Sequence, residues 1–295
     1  IPTVSYCQPL ANIKKHIMKT ILSGLLLILY LASIGQGFTI PYSEYITRIK
    51  RSVLPIVCVN PSPQGFKTSQ GTCVLLGHND LRLFVTCEHV IAIKDTLQKT
   101  IKYFDNVFVN MANIDSTTSL IRLKIDYADE QNDFALLSIT DTPNNIQLIS
   151  KLTGQYIQKS IWLNNDSYLE GDYILYIGYP MMKSISEKNY PISRIGIVAQ
   201  KIEKQNNILI DGFVQHGHSG SPVFWIKPMG NNLGPSWEIE LIGITKSYPA
   251  ELTEVYEQIG LKSTNQAAIV NPGFTNVLKI SVIISAIEKV YNIKY

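Results

Sequence analysis

Three residues of this sequence stand in settings suited to acyl-transfer chemistry. Ser219 lies in HGHSGSPVF, residues 216–224. Glycines on either side and a following proline fold such a segment into a tight turn, in which the backbone N–H groups of Gly217 and Ser219 can converge on one point. A converging pair is what a developing oxyanion needs, although Gly/Ser turns also occur in β-rich chains that catalyse nothing. His89 falls near the end of the run LFVTCEHVI, which puts its imidazole at a rim rather than in the core. A lone histidine in such a place is more often structural than catalytic. Asp133 stands in DEQNDFALLSI, a polar turn feeding an apolar run, where an aspartate commonly does no more than form the turn.

The order of the three residues carries more than any one of them. His89, Asp133, Ser219 is one of the chain orders that a serine triad takes. An α/β-hydrolase needs its histidine after the serine, and none follows Ser219; its G-x-S-x-G elbow also fails, because residue 221 is serine. A subtilisin-like order requires an acid ahead of the histidine in a helix-rich parallel fold, which the strand pattern below contradicts. The expected roles are therefore Ser219 as nucleophile, His89 as general base, Asp133 as the group that orients the histidine, and the N–H groups of Gly217 and Ser219 as oxyanion hole. That chemistry needs no cofactor. His216 and His218 invite a metal reading, but no third ligand stands near them and no Cys/His zinc spacing occurs, so no metal site is expected. Two other readings of the same cleft are a catalytically silent peptide-binding module and an esterase-like hydrolase.

The elements that would position these residues are short runs rich in β-branched and aromatic residues. They are VLPIVCV, TCVLLG, LRLFVT, NVFVNM, LIRLKI, FALLSI, YILYIGYP, IGIVAQKI, NILIDGFV, SPVFWI and IELIGIT, separated by Gly, Asn, Asp and Pro. Many short strands with frequent turn signals predict an all-β sandwich or barrel rather than alternating βα units. Helix is expected only near Pro41–Ile49 and from Asn276 to about Tyr291, where Val277, Ile280, Ile284, Ile287 and Tyr291 recur at helical spacing. The polar stretch from Asp141 to Asp166 is the expected crossing between two β domains. The expected division is a leader over residues 1–37, a first barrel over 38–150 with His89 and Asp133, and a second over 151–295 with Ser219 and the closing helix.

TCEHV, NDFALL and GHSGSP resemble the histidine, aspartate and serine signatures of trypsin-like (chymotrypsin-fold) serine peptidases. GTCVLL, GDYILYIGYP with ISRIGIV, and LIGIT are similar to further family segments between and after them, so the resemblance runs from about Ser52 to Ile287. It is nearest to bacterial trypsin-like and HtrA-like peptidase domains without a PDZ domain. The resemblance implies two six-stranded antiparallel β-barrels with a C-terminal helix and an active site in the cleft between the barrels. It also marks departures. His218 stands where activatable trypsins carry an aspartate, and Phe213 stands where basic-residue-selective members carry an acid. A substrate pocket around Phe213, Val214, Thr245 and Lys246 is expected to prefer uncharged side chains.

Composition narrows the partners. The 295-residue chain is 45% hydrophobic and 17% charged, enough to bury a large core. Its net charge of +3 is owed to Lys14, Lys15 and Lys19, all ahead of the first acid, Glu44; a chain starting at Phe38 carries equal numbers of basic and acidic side chains. A neutral body argues against nucleic-acid binding, so the expected partner is a peptide or protein substrate. Residues 21–35, ILSGLLLILYLASIG, follow the three lysines and run into the small residues Gly35 and Gly37, the three-part pattern of a signal peptide cleaved after Gly37. Export to the periplasm or beyond is expected, with membrane contact only through this segment if it stays uncleaved, since it is shorter than the roughly 20 residues that span a bilayer. Residues 1–17 read as upstream of the signal. Beyond Cys7, the odd number left by Cys58, Cys73 and Cys87 allows at most one internal disulfide.

Overall fold

The computed structural model describes residues 42–63, 65–79, 81–95, 97–112, 118–140, 156–158, 161–162, 167–180, 190–201, 205–231, 234–247, 251–256, 263–270 and 272–293. The leader and most of the expected crossing between domains lie outside the described residues. Helix α1 (Tyr42–Lys50) falls within a residue of its expected span and buries Ile49. Strand β1 (Val53–Ser62) then begins the first barrel, burying Val53, Leu54, Ile56, Cys58 and Asn60 while Val57 and Val59 sit half-buried, the two-residue alternation of a strand with one face inward.

The barrel continues through β2 (Gly65–His78), β3 (Leu81–Thr86), the single-turn helix α2 (Glu88–Ile91), the hairpin of β4 (Ala92–Lys94) and β5 (Thr100–Tyr103), β6 (Asn106–Ala112), β7 (Thr118–Asp129) and β8 (Phe134–Ile139). Antiparallel pairing runs β1-β6-β7-β8-β3-β2 and closes from β2 back to β1, a ring of six, with β9 (Ile157–Gln158) added in parallel to the outer end of β2. Residues 71–77 of β2 are buried on both faces because other segments cover the outside: Gly71 meets the Val90 side chain and the Ser219 carbonyl, and Gly77 lies under the Tyr156 ring.

The second barrel is a closed ring in the order β10-β11-β12-β17-β14-β13. Its strands are β10 (Tyr173–Gly178), β11 (Ile192–Lys201), β12 (Asn207–Asp211), β13 (Pro222–Asn231), β14 (Gly234–Ser247) and β17 (Phe274–Lys279), with the separate hairpin of β15 (Glu251–Tyr256) and β16 (Ser263–Val270) between the last two. The expected pair of six-stranded antiparallel barrels is thus present. Ile157–Gln158 pair with the first barrel, and Trp162 bridges to Leu241 of the second.

Two expectations need correction. Asn276–Lys279 are strand, not the start of the last helix, because Asn276, Val277 and Leu278 close the barrel between β12 and β14. Helix α3 (Ile280–Tyr291) therefore starts four residues later, and Ile280, Ile283, Ile284 and Ile287 form its buried stripe. Ile283 and Ile287 are fully buried, worth about 2 kcal/mol each. The Tyr291 hydroxyl at its far end donates to Asp126 of the first barrel (2.7 Å), and Asn292 ends the helix in the left-handed conformation. Second, the run NILIDGFV leaves its sheet at Asp211, so Phe213 and Val214 belong to a loop. Cys58, Cys73 and Cys87 are all free and buried, and burial pushes each thiol pKa up.

Candidate active site

Strand pairing explains how His89 meets Asp133. β3 and β8 are antiparallel neighbours with Thr86 opposite Ala135, so the residues just past the end of β3 and just before β8 share one rim. α2 carries His89 there, and the turn after β7 ends in Asp133, whose φ of 56° is a left-handed conformation that aspartate tolerates better than most residues. The carboxylate receives His89 twice. The backbone N–H donates to Oδ1 at 3.0 Å, and Nδ1 lies 2.9 Å from both carboxylate oxygens. With Nδ1 bound as a donor, Nε2 is left as acceptor toward Ser219 Oγ, 2.9 Å away across the interface between the barrels. Burial works against the Asp133 anion, but the His89 hydrogen bonds and charge and the Lys246 cation outweigh it and hold its pKa below the ordinary carboxylate value.

Ser219 is carried by the loop between β12 and β13. Gly217 (φ 95°) and Gly220 (φ 88°) adopt conformations that side chains oppose, and a Cβ on Gly220 would collide with the Thr72 carbonyl. His218 N–H donates to Gln215 C=O (3.0 Å), Ser221 N–H to His218 C=O (2.8 Å) and Gly220 N–H to Thr245 C=O (2.8 Å). Among the described residues, the N–H groups of Gly217 and Ser219 donate to no protein acceptor. The structure brings together the side chains of His89, Asp133 and Ser219, with Gly217 two residues before the serine.

The sequence profile of the trypsin-like peptidase domain family matches residues 71–227, more than half of the chain and all three of these side chains. The chain belongs to the trypsin-like peptidase family. The crystal structure of the serine endoprotease from Yersinia pestis aligns with a TM-score of 0.49 and 19% identity, over 85% of this chain and 66% of that one. No curated protein matches the chain.

Of the expected pocket residues, Phe213 is half-exposed with the Arg194 guanidinium 5.9 Å over its ring, while Val214 is buried. Thr245 is buried and its hydroxyl donates to the His218 carbonyl; Lys246 offers its own carbonyl 3.3 Å from Ser219 Oγ. Among the described residues, the titratable side chains close enough to share a metal ion are Cys87, His89 and Asp133, with ligand atoms within 4.8 Å of one another; His216 and His218 join no such group. Glu88 was not singled out from sequence. It is fully buried beside His89, accepts from the Thr100 hydroxyl (2.6 Å) and lies 2.9 Å from Lys94 Nζ, bracing α2 against the β4–β5 hairpin. Its one sequence signal is a charged residue inside an apolar run, where a buried carboxylate needs a partner.

His218 is 1% exposed, with Nδ1 accepting from Gln215 N–H at 3.2 Å. Burial pushes its pKa down to about 4; the Gln215 carbonyl, 3.3 Å from Nδ1 and able to accept from the protonated ring, offsets part of this, and the Arg194 cation adds to the lowering. An unfolded histidine takes up a proton near pH 6.5. Between that pH and about 4 the unfolded chain binds a proton that the folded chain refuses, so stability falls on acidification through this window. The contribution is about 3 kcal/mol, complete by the lower end. His218→Asn is expected to lose less stability than the parent between pH 7 and pH 4 in urea denaturation. Equal losses would contradict the assignment.

Proposed function

We propose that the chain is an exported serine endopeptidase that cleaves peptide bonds through an acyl-enzyme. The observation that carries this reading is the single relay from Asp133 through both nitrogens of His89 to Ser219 Oγ. In the first half-reaction His89 Nε2 takes the hydroxyl proton as Oγ bonds to the scissile carbonyl carbon. It then gives that proton to the amide nitrogen as the C–N bond breaks. In the second half-reaction water attacks the acyl carbon, His89 takes its proton, and Ser219 Oγ leaves carrying it. The oxyanion of each tetrahedral intermediate is bound by the N–H groups of Gly217 and Ser219, each such donor being worth about 3 kcal/mol.

The division of labour follows the two-domain reading: residues 38–150 supply base and acid, residues 151–295 the nucleophile and pocket. The substrate is a peptide or protein, not nucleic acid. Uncharged side chains are favoured in the pocket, because the Phe213 ring offers no carboxylate and Arg194 beside it repels a second cation. Residues 38–295 incubated with a mixed peptide library are expected to cut internal bonds after uncharged residues at least about tenfold faster than after Lys or Arg. Dominant cleavage after Lys or Arg contradicts the pocket, and binding without turnover contradicts the enzyme. Export rests on the apolar run after Lys19; no helix among the described residues is long and apolar enough to cross a membrane. Sequencing of the exported product is expected to start at Phe38, and an intact leader would overturn that reading.

A further inference from the structure

We propose that Thr72, a residue of the first barrel, is a positioning residue that sets the oxyanion loop of the second. The inference rests on the Ser219 triad reading and concerns how its N–H donors are aimed. Three consecutive peptide planes run from Gly217 to Gly220, and the carbonyl of each is pinned. The 218–219 plane holds its carbonyl to the Thr245 hydroxyl and Ser221 N–H. The 219–220 plane gives its carbonyl to Thr72 N–H (2.9 Å) and its N–H to Thr245 C=O. The 217–218 plane gives its N–H to Gln215 C=O, and its carbonyl takes the Thr72 hydroxyl at 2.7 Å. That last plane adjoins Gly217, which has no Cβ to restrict rotation and sits at φ 95°. It can flip, and flipping re-aims the dipole between the two proposed oxyanion donors. The hydroxyl of Thr72 is the side-chain group that chooses one orientation.

The surroundings of Thr72 suit it to that task. It is fully buried, so its hydroxyl has no water to turn to. The oxygen donates to Gly217 and accepts from Tyr179 N–H (2.9 Å), which fixes the direction of its proton. Opposite it on β1 stands Pro55, which has no N–H to offer the Thr72 carbonyl; the Thr86 hydroxyl fills that place at 2.7 Å. Thr86 ends the strand that leads to His89. One residue thus ties the base-bearing strand of the first barrel to the loop that bears Ser219. Its contact with Gly217 spans 145 positions in sequence.

The test compares Thr72→Val, which keeps the branched shape and removes the hydroxyl, with Thr72→Ser, which keeps the hydroxyl. Turnover is measured on a peptide anilide carrying the preferred residue, and fluorophosphonate labelling is followed in parallel. Thr72→Val is expected to lower kcat about a hundredfold with KM changed less than about threefold, since the loss is felt when charge develops. Thr72→Ser is expected to stay within about fivefold of the parent. The acid limb of the kcat/KM profile should not move, because the His89–Ser219 contact is untouched. If Thr72→Val does not fold, Thr72→Cys takes its place; a thiol is a weak donor, and kcat should then fall in the order Thr, Ser, Cys. A Val or Cys variant with parental kcat, or a Ser variant as slow as either, overturns the proposal. A parent that does not react with fluorophosphonate refutes the triad reading instead.

Discussion

Ser219→Ala is expected to lower kcat by roughly four to six orders of magnitude. The serine oxygen is the atom that bonds to the substrate carbon in this account, and the neighbouring Ser221 hydroxyl is fully buried. Thr72, Thr86 and Thr245 are near, but each is fully buried or nearly so and its hydroxyl is already donated to a backbone carbonyl. The residual rate would come from the oxyanion donors and from substrate positioning, which act without a nucleophile. Stability should barely change, because among the described residues the deleted oxygen hydrogen-bonds only to a partly exposed imidazole and the Lys246 carbonyl. Single-turnover kinetics and a urea titration of the same preparation separate the two effects. A variant that keeps more than about a hundredth of the parental kcat, with parental stability, would contradict the role given to Ser219.

Asp133→Asn is the second large effect, expected near 10⁴ in kcat. Here the damage is to the proton inventory rather than to the reacting bond. The carboxylate accepts from both His89 N–H and Nδ1. An amide can accept with its oxygen but presents an NH₂ group on the other side, and an NH₂ facing Nδ1 moves the ring proton to Nε2, where it can no longer accept from Ser219. Asp129 is the control. Its carboxylate accepts from the backbone and side chain of Asn132 and shapes the turn without touching the histidine. Asp129→Asn should cost stability and leave most of the rate. A crippling Asp129→Asn beside a mild Asp133→Asn would mean that the acid has been assigned to the wrong residue.

What could be read from the sequence was local. TCEHV, NDFALL and GHSGSP are short segments in which polar chemistry interrupts apolar alternation, and the strand runs around them follow the period of two that a barrel wall imposes. What could not be read was set by partners far along the chain. Asn276–Lys279 carry a helical stripe, yet strand pairing with β12 and β14 claims them because the barrel cannot close without a sixth strand. Val214, next to Phe213 and five residues before the serine, reads as pocket lining, but leaving β12 early turns it into the core. Thr72 sits in a run of buried residues with no local sign of its two hydrogen bonds to the Ser219 loop, because those partners belong to the other barrel. Glu88 likewise declares its charge but not the Lys94 and Thr100 groups that compensate it.

The central claim is that one serine, activated by one histidine, is the reacting group. It is tested most directly by treating residues 38–295 with a fluorophosphonate and mapping the adduct by peptide mass spectrometry. The account predicts stoichiometric modification confined to Ser219, abolished by His89→Ala as well as by Ser219→Ala. An unmodified protein, or an adduct on any other residue, would contradict it.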